Sequence, residues 1–162
     1  MVYNLARRML RDPDAARDAA QEAFLNVFRS LPAFRGECSV RTWTYRIALH
    51  ECIARSDRSR SERRRLEPID ACDAAAGALA SPEPLPGDAI DRDARDALVR
   101  CAIGQLPGRY RAVVVLRYLE ARSYDEIAEL LDVPMGTVKT WLFRAKDLLR
   151  EHLRRAAEEI GT

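Results

Sequence analysis

Apolar residues recur at three- and four-residue intervals through most of the chain, and no stretch alternates with period two. The pattern predicts helices and no strands. Val2, Leu5 and Met9 share one side of a short first helix, which "RDPD" interrupts. Asp12 can cap a second helix with Pro13 at its first position. That helix is expected to reach about Leu31 and to bury Ala16, Ala20, Ala23, Phe24, Val27, Phe28 and Leu31. Its opposite face carries Asp18, Gln21, Glu22, Leu25 and Arg29. "LPAFRGE" ends it through Pro32 and Gly36. Ser39 can cap a third helix with an expected inward stripe of Val40, Trp43, Ile47 and Ala54, which dissolves into the basic run "RSDRSRSERRR". From Glu67 the chain is rich in Ala, Pro and Gly, with no periodic face, and reads as a flexible linker over 67–90. Near Ile90 a second helical unit begins. Leu98, Cys101, Ala102 and Gln105 lead to "LPGRY", and Pro107 opens a helix through Val113, Leu116 and Leu119. The expected fold is all-α: two small helical domains, 1–66 and 91–162, joined by the linker.

The most informative stretch is "SYDEIAELLDVPMGTVKTWLFRAKDLLR". "SYDE" has capping-box spacing: Ser123 can accept from the amide of Glu126, whose carboxylate can reach back to the amide of Ser123. The helix that follows is expected to bury Ile127, Ala128 and Leu131. Asp132 tolerates the left-handed backbone that a sharp turn needs. Val133 fills the corner, and Pro134 suits the first turn of a second helix burying Val138, Trp141, Leu142, Ala145 and Leu149. The spacing of Ala128, Asp132 and Val138 fits a helix-turn-helix. Its outward face presents Thr137, Lys139, Thr140 and Arg144, short polar and basic side chains suited to base edges in a major groove. Lys146 and Arg150 are better placed for phosphates. A helical hairpin with a solvated basic face is the plain alternative.

Charge sharpens this picture. Arg35 to Arg65 holds nine Arg against four acids, Glu67 to Asp91 six acids and no Lys or Arg, and Pro134 to Arg155 six basic residues against two acids. Two basic blocks around an acidic one suggest polyanion contacts at both ends. The four cysteines include no C-x-x-C pair, so a metal site is not expected; they read as thiols filling small apolar positions. No cofactor motif is present. No apolar run approaches the ~18 residues of a membrane span, and the first residues lack a signal-peptide pattern; a cytoplasmic protein without membrane insertion is expected. Two His and scattered acids form no nucleophile or metal-carboxylate set, so an enzyme is not expected.

"FRGECSVRTWTYRIA" joins an aromatic-basic loop to a helix. Aromatics among Arg suit unstacked bases, with rings to stack and guanidinium groups to hold phosphates. Trp43 lies on the expected inward stripe and reads first as core, whereas Arg41, Tyr45 and Arg46 face elsewhere. Together, "DAAQEAFLNVFRSLPAFRGECSVRTWTYRIA" and "LPGRYRAVVVLRYLEARSYDEIAELLDVPMGTVKTWLFRAKDLLR", in this order across a linker, resemble an extracytoplasmic-function sigma factor of bacterial RNA polymerase. The resemblance implies a sigma region 2-like domain that binds core polymerase (β and β′ subunits) through Asp18, Gln21, Glu22, Leu25 and Arg29. It implies a single-stranded −10 element held by Phe34, Arg35, Gly36, Glu37, Arg41, Trp43, Tyr45 and Arg46. A region 4-like domain would read the duplex −35 element through Thr137, Lys139, Thr140, Arg144, Lys146 and Arg150. Such proteins are not enzymes; they give a polymerase promoter choice and strand opening, and the family leaves room for an anti-sigma factor as a further partner. The acidic linker would enter the path of nascent RNA as a nucleic-acid mimic. Relative to the family, a helix before Val2 is missing, Cys38 stands where Ser is usual, and Asp132 replaces a turn Gly. A two-part DNA-binding regulator acting without polymerase is the alternative function.

Overall fold

The computed structural model of the chain describes residues 1–66 and 88–160. Every regular element among them is helical: α1 (Val2–Met9), α2 (Pro13–Ser30), α3 (Val40–Leu66), α4 (Asp88–Gln105), α5 (Gly108–Val114), α6 (Tyr124–Leu131) and α7 (Met135–Ile160), with a 3-10 turn at Leu31–Ala33 and a π-helical turn at Val115–Leu119. The linker expected over 67–90 falls outside the described residues except at its end, where α4 starts at Asp88.

The local signals act as their chemistry requires. Asp12 accepts from the amides of Asp14 and Ala15 at the start of α2, and Ser39 accepts from the amide of Thr42 at the start of α3. Val2, Leu5 and Met9 are buried together. In α2 the buried row is Ala16, Ala19, Ala20 and Ala23, while Phe24, Phe28 and Leu31, expected inside, are 57%, 77% and 49% exposed. Small side chains let α1 and α3 approach α2 closely, and that contact has no room for a ring. The inward face of α3 is also corrected: Tyr45, Ala48, Leu49, Cys52 and Ser56 are buried, and Val40 is exposed. Trp43 and Ile47 are half-buried and Ala54 is exposed.

That shift has a tertiary cause. α3 packs on α1 and α2 and also on α5 and α6, so two faces of it are covered. One apolar core runs from Leu5, Met9, Leu49 and Cys52 through Val113, Leu116 and Ile127 to Val138 and Leu142. Burial pushes the Cys52 thiol up to about 12, as befits an inert filler of a small apolar position. Cys101, expected to be a thiol of the same kind, is disulfide-bonded. A smaller cluster of Leu106, Tyr110, Val114 and Ala145 holds α5 to α7, with Trp141 partly buried against both.

Arg111 is the charged residue at the centre. It is 2% exposed. Its guanidinium donates to the carbonyl oxygens of Met9 at 2.7 Å, Ile103 at 3.1 Å and Leu106 at 3.1 Å, and also to that of Gly104. These carbonyls end α1 and α4, where backbone acceptors lack helical partners and helix dipoles favour a cation.

Candidate nucleic-acid interface

The helix-turn-helix forms as its residues specify. Ser123 Oγ accepts from the Glu126 amide at 3.1 Å, and Glu126 Oε2 accepts from the Ser123 amide at 2.8 Å. Those bonds, the Ser123 amide first and Arg122 next, hold the Glu126 carboxyl below its usual range. Asp132 takes the left-handed conformation, φ 53° and ψ 49°, and the Val133 amide closes the turn on the Ala128 carbonyl at 3.1 Å. Val138, Leu142 and Ala145 are buried beneath it. Lys139, Thr140, Arg144, Lys146 and Arg150 are exposed, and Thr137 is half-buried. Thr140 Oγ1 donates back to the Gly136 carbonyl at 3.0 Å, Arg150 pairs with Asp147 at 2.8 Å, and Lys146 sits 5.9 Å from the Tyr118 ring centre. The guanidinium groups of Arg144 and Arg109 beside the Tyr110 hydroxyl lower its pKa, and Arg109 Nη2 donates to that oxygen at 3.4 Å.

Sequence reasoning missed Phe143. It lies off the buried stripe, between Lys139 and Arg144 on the outward face, and is 67% exposed. The available signal was its register: it falls outside the Val138, Leu142, Ala145 repeat.

The residues matched to −10 recognition divide into two groups. Phe34 and Trp43 stack with ring centres 4.8 Å apart. Trp43, Glu37 and Arg46 line a cleft of about 570 Å³ with Asn26, Ile47, His50, Glu51 and, from the helix-turn-helix, Asp132. Arg35, Gly36 and Glu37 sit on the exposed loop, where Gly36 has φ +73°. Arg41 and Tyr45 lie on the other side of α3, along a second cleft of about 340 Å³ with Arg122, Glu126 and Glu129. Tyr45 was expected to face away from the core; instead it is 4% exposed, because α3 is covered on that side. Its hydroxyl donates to Glu120 Oε2 at 2.5 Å, and burial followed by that bond raises its pKa far above the usual phenol range. Arg46 Nη2 donates to Glu129 Oε1 at 3.1 Å, and its Nε is buried without a partner.

On α2, Asp18, Gln21, Leu25 and Arg29 are exposed along one face, with Glu22 half-buried. Arg29 pairs with Glu22 at 3.1 Å and Asp18 with Arg55 at 3.7 Å. Phe24 and Phe28 join Leu25 to make the face an apolar ridge rimmed by charge, the form that marks a protein-binding surface. Among the described residues no cluster of His, Cys, Asp or Glu is arranged to hold a metal, and no helix is long and apolar enough to cross a membrane.

Comparison with known proteins agrees with this layout. The Sigma-70 region 2 family matches residues 1–65, and the Sigma-70, region 4 family matches residues 96–149. The RNA polymerase sigma-H factor of Pseudomonas aeruginosa is 35% identical over 158 residues, covering 94% of this chain and 80% of that protein. The ECF RNA polymerase sigma factor SigW of Bacillus subtilis is 34% identical over 159 residues, covering 94% and 83%. The ECF RNA polymerase sigma-E factor of Escherichia coli K12 is 35% identical over 159 residues, covering 91% and 78%. Among solved structures, the sigma factor RpoE of Bartonella quintana, in complex with the anti-sigma factor NepR, superposes with a TM-score of 0.57 at 18% identity. It covers 94% of this chain and 89% of its own, and so shares the fold. With two region matches in the family's order and relatives aligned over nearly the whole chain, this protein belongs to the ECF sigma factors of RNA polymerase.

Proposed function

We propose that this sigma factor divides its task among three helices. The exposed face of α2, with Asp18, Gln21, Glu22, Leu25 and Arg29 and with Phe24 and Phe28 added, binds core RNA polymerase through its β and β′ subunits. The loop Phe34–Glu37 and the start of α3, with Arg41, Trp43, Tyr45 and Arg46, hold the single-stranded −10 element. The outward face of α7 reads the −35 duplex: Thr137, Lys139, Thr140, Arg144 and Phe143 at base edges, and Lys146 and Arg150 at phosphates. Residues 1–66 and 91–162 are the two functional domains and 67–90 the tether between them. The protein acts as a non-enzymatic initiation factor in the cytoplasm, and an anti-sigma factor is a fitting further partner, as NepR is for the Bartonella RpoE.

The observation that carries the reading is the capped helix-turn-helix with a polar, basic and aromatic outer face on α7, following a first unit whose loop stacks Phe34 on Trp43. The test is run-off transcription with core polymerase on a promoter library. Transcripts should appear only with both proteins present, from promoters sharing two separated elements. Tight, specific binding of the protein alone to a promoter duplex, with no transcript when core is added, would refute it.

A further inference from the structure

Four glycines lie among the described residues, and three of them have a reason inside the fold. Gly36 has φ +73°, where other residues are strained. A Cβ on Gly104 would lie 2.6 Å from Arg11 Cδ, and one on Gly108 would lie 2.7 Å from the Ile53 carbonyl oxygen. Gly136, in the first turn of α7, has neither reason. It is not among the glycines with positive φ, and a Cβ there would meet nothing among the described residues within 4 Å. Glycine in ordinary helix at an open position lowers stability, because the unfolded chain has more freedom to lose. Packing within the chain does not account for it; a surface that approaches the backbone closely from outside does. We infer that Gly136 is a positioning residue that sets how deeply α7 enters the −35 duplex, its bare backbone lying against base edges at the floor of the major groove. This rests on the assignment of α7 to the −35 element.

The register of α7 supports this. Val138, Leu142 and Ala145 form its buried side. At about 100° per residue, Gly136 and Thr140 lie within about 30° of the line directly opposite, on the crest of the outward face. Both are exposed. Thr140 turns its hydroxyl back to the Gly136 carbonyl at 3.0 Å, so the crest at this end presents only backbone and one short side chain. The long basic side chains of Lys139 and Arg144 flank it, and Phe143, 67% exposed, follows about two turns on from Gly136. A major groove about 12 Å wide and 8.5 Å deep barely admits a helix about 10–12 Å across. A side chain on the crest of the leading turn therefore holds the helix off the bases. One added carbon, at a bond of about 1.5 Å, moves the backbone out by a like amount. Hydrogen bonds to base edges span roughly 2.7–3.2 Å, so a shift of that size would break those of Thr137 and Thr140, whose side chains are too short to follow.

The test uses the full chain, free and assembled with core polymerase. The free Gly136→Ala protein should melt at the wild-type temperature or about 1–4 °C above it. Its holoenzyme should nevertheless bind a −35-dependent promoter at least about tenfold more weakly, and Gly136→Leu more weakly still. Across a library of −35 sequences, discrimination should fall at several neighbouring positions together, because withdrawal of the helix affects every contact of its leading turn. Lys139→Ala, which removes one side chain, should alter one position. Wild-type affinity and preference in Gly136→Ala would overturn the inference, as would a loss confined to a single −35 position. A clear drop in the melting temperature of Gly136→Ala would overturn it too, since the glycine would then serve the fold. The double variant Lys139→Ala, Arg144→Ala separates this inference from the reading beneath it. If the pair leaves −35 preference intact, α7 is not the reader and that assignment falls. If the pair abolishes preference while Gly136→Ala keeps it, the depth-setting role alone falls.

Discussion

Arg111→Met would replace a buried cation by an apolar chain of similar length. Four hydrogen bonds from the guanidinium to carbonyls of Met9, Ile103, Gly104 and Leu106 disappear. Bonds from a charged donor contribute roughly 1.5–3 kcal/mol each, so the gross loss is about 6–12 kcal/mol. Burial works in the opposite direction. It lowers the guanidinium pKa to about 10, with Arg63 and Arg11 adding to the effect. At ~1.36 kcal/mol per tenfold change in the proton equilibrium, removing that penalty returns about 3 kcal/mol. Water reaching the freed carbonyls at the ends of α1 and α4 recovers more. The expected net loss is about 3–5 kcal/mol, the range found when one partner of a buried ionic arrangement is removed. Urea titration followed by helical circular dichroism measures it. The sign with pH is also set. The folded pKa lies below the unfolded one, so the Arg111 contribution to stability rises with pH only above about 10, where the unfolded chain retains the extra proton. The wild-type to variant difference should therefore be flat between about pH 6 and 9. Arg111→Lys, which keeps the charge but cannot span four carbonyls, should lose nearly as much. A loss below about 1 kcal/mol for Met, or wild-type stability for Lys, would refute the account of this residue as the bolt between α1, α4 and α5.

Other changes test other parts. Ser123→Ala removes the N-cap of α6 and should cost about 1 kcal/mol in the same titration; because the Glu126 carboxyl is held low, the capping contribution should be present at neutral pH and fade as pH falls through its folded pKa. Ala121 has φ 54°, so Ala121→Gly should raise stability by about 0.5–1 kcal/mol by relieving a left-handed alanine. Phe28→Asp should weaken binding to core polymerase in a pull-down at least about tenfold with little change in Tm, since Phe28 is 77% exposed in the free chain. Lys139→Ala, Phe143→Ala or Arg144→Ala should each alter preference at one −35 position by ~1–3 kcal/mol, whereas Lys146→Ala should weaken all sequences alike and reduce the salt dependence.

Features governed by near neighbours were legible in the sequence. The caps at Asp12, Ser39 and Ser123, the Asp132 turn and the Val138, Leu142, Ala145 face each depend on residues within a few positions, and each stands where its chemistry places it. The faces of α2 and α3 were less legible. In α2, hydrophobicity weights Phe above Ala, whereas close helix packing selects Ala for contact and leaves Phe24 and Phe28 outside. In α3, the stripe through Val40, Trp43 and Ile47 is a true periodicity, but Tyr45, Leu49 and Cys52 form another, and only the docking of α5 and α6 decides which is deeper. Arg111 was passed over within an apolar run because its partners are backbone carbonyls, one of them 102 positions away. Leu119, expected on the buried stripe with Val113 and Leu116, is 48% exposed at the end of the π turn, which widens the backbone and shifts it off that stripe.

That π turn carries an instruction written as a count of residues. A π turn accommodates one residue more than the α-helical path it interrupts, and in an α-helix one residue is about 100° of rotation. Deleting a single position within Val115–Leu119 would leave nearly every side chain of α5 and α6 intact. It would let the path close to ordinary α-helix and keep the phase of the stretch carrying Glu120, whereas one further residue would swing that stretch by roughly 100° relative to α5. The angular phase between the two halves is thus stored in an integer, invisible to any scan that swaps one amino acid for another. A one-residue insertion within these five positions should therefore be far more damaging than a one-residue deletion.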